Sequence, residues 1–178
     1  MKIREENTLG ELAGVLGKGL LAGLVGTAAI TLSQMIEMKI TKRETSEAPV
    51  KVASEITGAA PSTHADKELL SNEIHVAYGT SWGAVRGLLG LAGLKGPAAT
   101  LVHFAAIWGT ELVMLPKYDA APPVNEQEPK SLAIDALHHA VYAIATGIAY
   151  DAMDAGSSRE KKLNKLNKLI KGLKFIGY

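Results

Sequence analysis

Four runs of mostly apolar residues, separated by charged connections, constrain this chain more than any other feature. A helix needs roughly 20 apolar residues to cross the ~30 Å hydrocarbon core of a bilayer. The runs cover residues 16–36, 70–94, 97–115 and 132–153. Between Ala98 and Met114 the only ionisable side chains are His103 and Glu111. A soluble bundle of buried helices would suit the mean hydropathy of +0.11, but each of its helices would carry a charged face. The pattern therefore predicts an all-α, polytopic membrane protein with four transmembrane helices.

Glycine supports that setting. The chain has 18 glycines, most of them inside the apolar runs. Interior glycine costs a soluble helix about 1 kcal/mol relative to alanine, whereas membrane helices use it to bring backbones together. Gly79, Gly83 and Gly87 form a stripe at four-residue spacing, and Gly19 and Gly23 form another. Close helix packing is the simplest meaning of both.

Charge is balanced, 19 basic against 18 acidic residues, which argues against a nucleic-acid partner. There is no cysteine, so disulfides and thiolate metal sites are excluded. The apolar stretch after Met1–Glu6 does not read as a cleaved signal peptide. Lys95 and Gly96 mark a tight turn, and residues 118–130, with Pro122, Pro123 and Pro129, read as an extended loop. In the longest connection, Val50, Ala53 and Ile56 suggest a short helix capping the bundle or lying on the membrane. Counted side by side, the end with the N-terminus, Lys95 and the C-terminal tail holds ten lysines and arginines, the other end seven. The bias predicts that both termini are cytoplasmic.

Two internal echoes suggest tandem helical hairpins. Leu24-Val25-x-x-Ala28-Ala29-Ile30 matches Leu101-Val102-x-x-Ala105-Ala106-Ile107. His75-x-x-Tyr78, with Gly83 five residues on, matches His139-x-x-Tyr142 with Gly147.

Ionisable residues inside a span are costly and face the bundle interior. With antiparallel helices and a rise of ~1.5 Å per residue, they sort into two layers. The outer layer holds His75, Glu111, Asp135, His138 and His139, with Gln34 close by. The inner layer holds Arg86, His103 and Asp151, with Arg86 expected to snorkel toward Asp151. Asp135 precedes His138 by three residues and His139 by four, so it can orient either imidazole. Mutual hydrogen bonding that locks the bundle is the simplest role for the outer layer. Three others fit: a metal site of His75, Glu111 and His139, a haem b held between His75 and His139, and a proton relay. Trp82, Trp108, Tyr78 and Tyr142 read as packing aromatics, with cofactor stacking as the alternative.

The chain is expected to divide into a transmembrane domain, 1–156, and a basic tail, 157–178. In the tail, Leu163, Leu166, Ile170 and Leu173 share a helical face, and Lys161, Lys162, Lys165, Lys168 and Lys174 occupy the rest. Such a cationic amphipathic helix is suited to lie on anionic lipid headgroups.

The run HVAYGTSWGAVRG, the segment HFAAIWG, the proline after Leu115 and the stretch DALHHAVYAIATGIAYD together resemble the YagU-like family of small bacterial inner-membrane proteins. The resemblance spans about residues 15 to 155. It implies a multi-helix inner-membrane protein and supplies no reaction to carry over. The functional expectation is a non-catalytic structural or accessory subunit of a larger membrane complex or homo-oligomer. The alternatives are a haem- or quinone-linked redox subunit and a small transporter or channel.

Overall fold

The structure, a computed structural model, describes residues 2–44, 46–58 and 63–175. Of the side chains in 158–175, only that of Leu163 is among the described residues. The described residues form five α-helices and no strand: α1 (Lys2–Thr41), α2 (Ala48–Thr57), α3 (His64–Leu91), α4 (Gly96–Lys117) and α5 (Pro129–Phe175). A 3-10 turn, Val124–Glu126, lies between α4 and α5.

Among the described residues, three segments are long and apolar enough to cross a membrane: Thr8–Thr41, Gly96–Lys117 and Pro129–Ser157. The second apolar run lies in α3, whose first turns carry Asp66, Lys67, Glu68 and Glu73 and make the helix less apolar than α4.

Several boundaries differ from the sequence expectation. α1 begins at Lys2 and runs for 40 residues, so the first apolar run is the middle of a longer helix. α4 continues through Pro116 to Lys117, one residue past a proline that has no N–H for the Leu112 carbonyl and so sits where the helix is about to end. The fourth apolar run and the basic tail belong to one 47-residue helix, about 70 Å long at 1.5 Å per residue. Only Gly156 falls near the expected join at 157, and one glycine among good helix formers does not end a helix. The helix is continuous across the expected join at 157. The side chains of Lys161, Lys162, Lys165, Lys168 and Lys174 lie outside the described residues.

α2 forms where Val50, Ala53 and Ile56 suggested it, but with a different face inward. Val50 and Val52 are buried, while Ile56 is 60% exposed. It packs on α3, and Lys51 Nζ donates to the Asp119 carbonyl, tying the 42–63 connection to the α4–α5 loop. At the opposite end Gly93 (φ 91°) and Gly96 (φ 58°) make the α3–α4 turn, in a conformation that favours glycine.

α1 packs mainly on α3 and then on α5, and α4 packs mainly on α5. The two glycine stripes face one another. A Cβ on Gly19 would sit 2.5 Å from the Gly83 carbonyl oxygen, and one on Gly23 would sit 2.8 Å from Gly83 Cα. Leu21, Leu24 and Val25 of α1, Leu101 and Val113 of α4, and Ile144 and Ile148 of α5 point outward. Ile30, Ile107 and Tyr142 close the centre, with Trp82 against them.

Candidate functional site

Hydrocarbon offers polar groups no partners, so each polar side chain inside the bundle must find one within the protein. Helix order places two groups of them, one toward the α4–α5 loop and one toward the α3–α4 turn.

In the first group, His139 Nε2 lies 2.5 Å from Glu111 Oε2. Its Nδ1 lies 2.9 Å from the Asp135 backbone oxygen and 3.5 Å from Asp135 Oδ1. Asp135 thus orients His139, as the four-residue spacing suggested, chiefly through its main chain. Trp108 Nε1 donates to Asp135 Oδ2 at 2.9 Å, a polar role for a residue read as packing. Glu111, Asp135 and His139 each place a donor atom within 4.8 Å of the others.

The other two outer histidines turn away from this group. His75 Nε2 contacts Thr31 Oγ1 at 3.2 Å, so the three-ligand set expected around His75 takes Asp135 in its place. His75 still lies within Coulombic reach of His139 and Glu111. His138 Nδ1 meets Ser33 Oγ at 2.9 Å, and its Nε2 is 3.9 Å from Glu37. A haem between His75 and His139 would require both Nε2 atoms to leave these partners. Gln34 is half-buried.

In the second group, Arg86 Nη2 is ion-paired with Asp151, and its guanidinium lies 4.8 Å from the centre of the Tyr150 ring. Arg86 is 0% exposed, so it is enclosed rather than snorkelling. His103, equally enclosed, donates from Nε2 to the Trp82 carbonyl at 3.0 Å instead of joining the ion pair. Arg86 Nε and Nη1, His103 Nδ1 and Thr146 Oγ1 have no hydrogen-bond partner among the described residues. Nearer the turn, Lys18 pairs with Asp154 at 2.6 Å and Lys95 with the same carboxylate at 3.6 Å.

Sequence reasoning missed Lys18–Asp154, Ser33, Thr31 and the Tyr142 hydroxyl, which donates to the Gly79 carbonyl at 2.5 Å. For Lys18, a lysine inside an apolar run was the available signal. Ser33 and Thr31 gave none, because either hydroxyl can equally bond its own helix.

α4 and α5 leave between them an open, mostly apolar groove of about 550 Å³. Thr100, Ala140, Ala143, Gly147 and Asp151 line it together with the larger Leu101, Phe104, Ile144 and Ile148. Compared with family models, curated proteins and solved structures, the chain gave no match. Fold and site define a helical bundle with apolar outer faces and a polar interior that is paired in part within the chain.

Proposed function

We propose that this chain is a four-span inner-membrane protein of the YagU-like type, with both termini cytoplasmic, acting as an accessory subunit of a larger membrane assembly. The α4–α5 groove carries the reading. Gly96, Thr100, Ala140, Ala143 and Gly147 line it among larger apolar side chains, and such small residues are what membrane helices use at contact faces. The Asp151 carboxylate at its edge, paired with Arg86 yet still 39% exposed, can take a further polar partner that acyl chains lack. A partner's transmembrane helix meets both demands.

α3 serves as the fourth span in this reading. Residues 70–91 alone reach about 33 Å, enough to cross the ~30 Å hydrocarbon core. Duplication of a hairpin is supported by two pairs of equivalent contacts. Gly83 against Gly23 corresponds in the repeat to Gly147 against Thr100. Gly26 against Thr146 corresponds to His103 on Trp82.

A photo-crosslinking residue placed at Ile148, beside the groove, tests the accessory role in native membranes, with Leu21 on the outer face of α1 as control. The expected result is a discrete protein adduct from Ile148 and lipid adducts alone from Leu21. Lipid adducts alone at both positions would remove the accessory-subunit reading. An adduct of twice the chain's mass would replace the foreign partner with a second copy.

A further inference from the structure

Two hydrogen-bond acceptors face one another between α4 and α5. The Asp135 carbonyl can only accept, so His139 Nδ1 carries the ring proton, and Nε2 of the neutral ring presents a bare lone pair. That lone pair meets a Glu111 carboxylate oxygen at 2.5 Å. Acceptors this close repel unless they share a cation, which is either a proton or a metal ion.

Three observations favour the metal. An Asp135 carboxylate oxygen lies within 4.8 Å of ligand atoms of both Glu111 and His139, so a third ligand stands beside the pair. A single proton would also leave the two carboxylates and the imidazole with a net negative charge at membrane depth, where uncompensated charge is costly. A divalent ion brings the set to neutrality. Finally, the outer contacts are those that hold metal ligands in place: a histidine giving its far N–H to a carbonyl, and a carboxylate fixed by a donor, here Trp108.

We propose that Glu111, Asp135 and His139 bind one divalent first-row transition ion and thereby fasten α4 to α5. One imidazole with two carboxylates suits zinc, manganese or ferrous iron and disfavours magnesium and calcium, which prefer all-oxygen sites. The Glu111 and Asp135 side chains are 24% and 34% exposed, which leaves the ion a way in, while His139, at 11%, anchors the site from within. The inference is independent of the accessory role, since the site lies within one chain.

The test is a Co²⁺ titration of tag-free, chelator-stripped full-length protein in detergent, followed by visible absorption and metal analysis. One ion per chain with ligand-field bands, displaced by Zn²⁺ but not by Mg²⁺, is the expected result. Asp135→Asn and Glu111→Gln should abolish the bands, Trp108→Phe should weaken binding about tenfold, and His138→Ala should leave it unchanged. Wild-type protein of intact helicity that takes up no Co²⁺ would overturn the proposal in favour of a shared proton. Bands that persist in both carboxylate variants would overturn it equally. If those variants fail to fold, pulsed EPR of Mn²⁺-loaded wild type decides: coupling to a directly bound imidazole nitrogen supports the site, and its absence sinks it.

Discussion

The two halves of the bundle are held together by different means. α1 and α3 meet backbone to backbone, with Gly19, Gly23 and Gly83 at the contact and Gly87 against the Val15 carbonyl. No side chain longer than hydrogen fits there, and the contact owes its strength to dispersion over a close fit. α4 and α5 touch at Thr100 and Gly147 but leave an open groove along the same face. Polar bridges join them instead: His139 to Glu111 and Trp108 to Asp135. α5 is then tied to its neighbours by Arg86–Asp151, Lys18–Asp154 and the Tyr142 hydroxyl on Gly79. Shape closes one half and charge the other. A half closed by shape has no room for a visitor, whereas one closed by charge keeps space between its pegs.

The comparison can be broken most directly at Asp151. Asp151→Asn leaves the enclosed Arg86 guanidinium without a counter-charge. Stranding a buried donor costs about 1–3 kcal/mol, below the full penalty of a wholly buried pair because the Asp151 side chain is 39% exposed. Chemical unfolding in mixed micelles should register a loss of that size, and the double variant Arg86→Met with Asp151→Leu should recover much of it. A loss below about 1 kcal/mol, the scale of an exposed pair, would mean that charge does not hold this half.

Glycine gives a sharper test, because Gly83 and Gly147 each follow a His-x-x-Tyr by five residues. At Gly83 an added Cβ would lie 2.5 Å from Gly23 Cα, and neither backbone can yield alone. Gly83→Ala should cost about 1–3 kcal/mol, the usual range for overpacking, read from the same unfolding curves. At Gly147 the added Cβ meets only the Thr100 side chain, whose hydroxyl can rotate away. Gly147→Ala should therefore cost less than about 1 kcal/mol, the smallest effect of the set. Equal losses at the two glycines would erase the distinction between the halves.

Much of this was legible in the residues themselves. The helical runs, the turn at Lys95 and Gly96, the close packing signalled by the glycine stripes and the pairing of Arg86 with Asp151 all follow from periodicity, conformational preference and the cost of stranded charge. Those are properties of a residue and its near neighbours along the chain. The same is true of Asp135 and His139, set four residues apart on one helix face.

What the sequence left open depends on rotation and distance between helices. Nothing local says that His75 turns to Thr31 while His139 meets Glu111, or that His138 finds Ser33, since a modest rotation of α5 would exchange these partners. That rotation is set by how closely α1 approaches α3, which the glycines permit, and by where α5 then rests against α1. The extent of α5 also escaped a reading by hydropathy, because a helix does not end where its apolarity does. The sequence by itself determined that this chain folds as apolar helices with polar groups inside. Which of those groups meet was decided by packing, because a hydrogen bond forms only within a few tenths of an ångström of its ideal length, and only the assembled bundle sets distances between helices that finely.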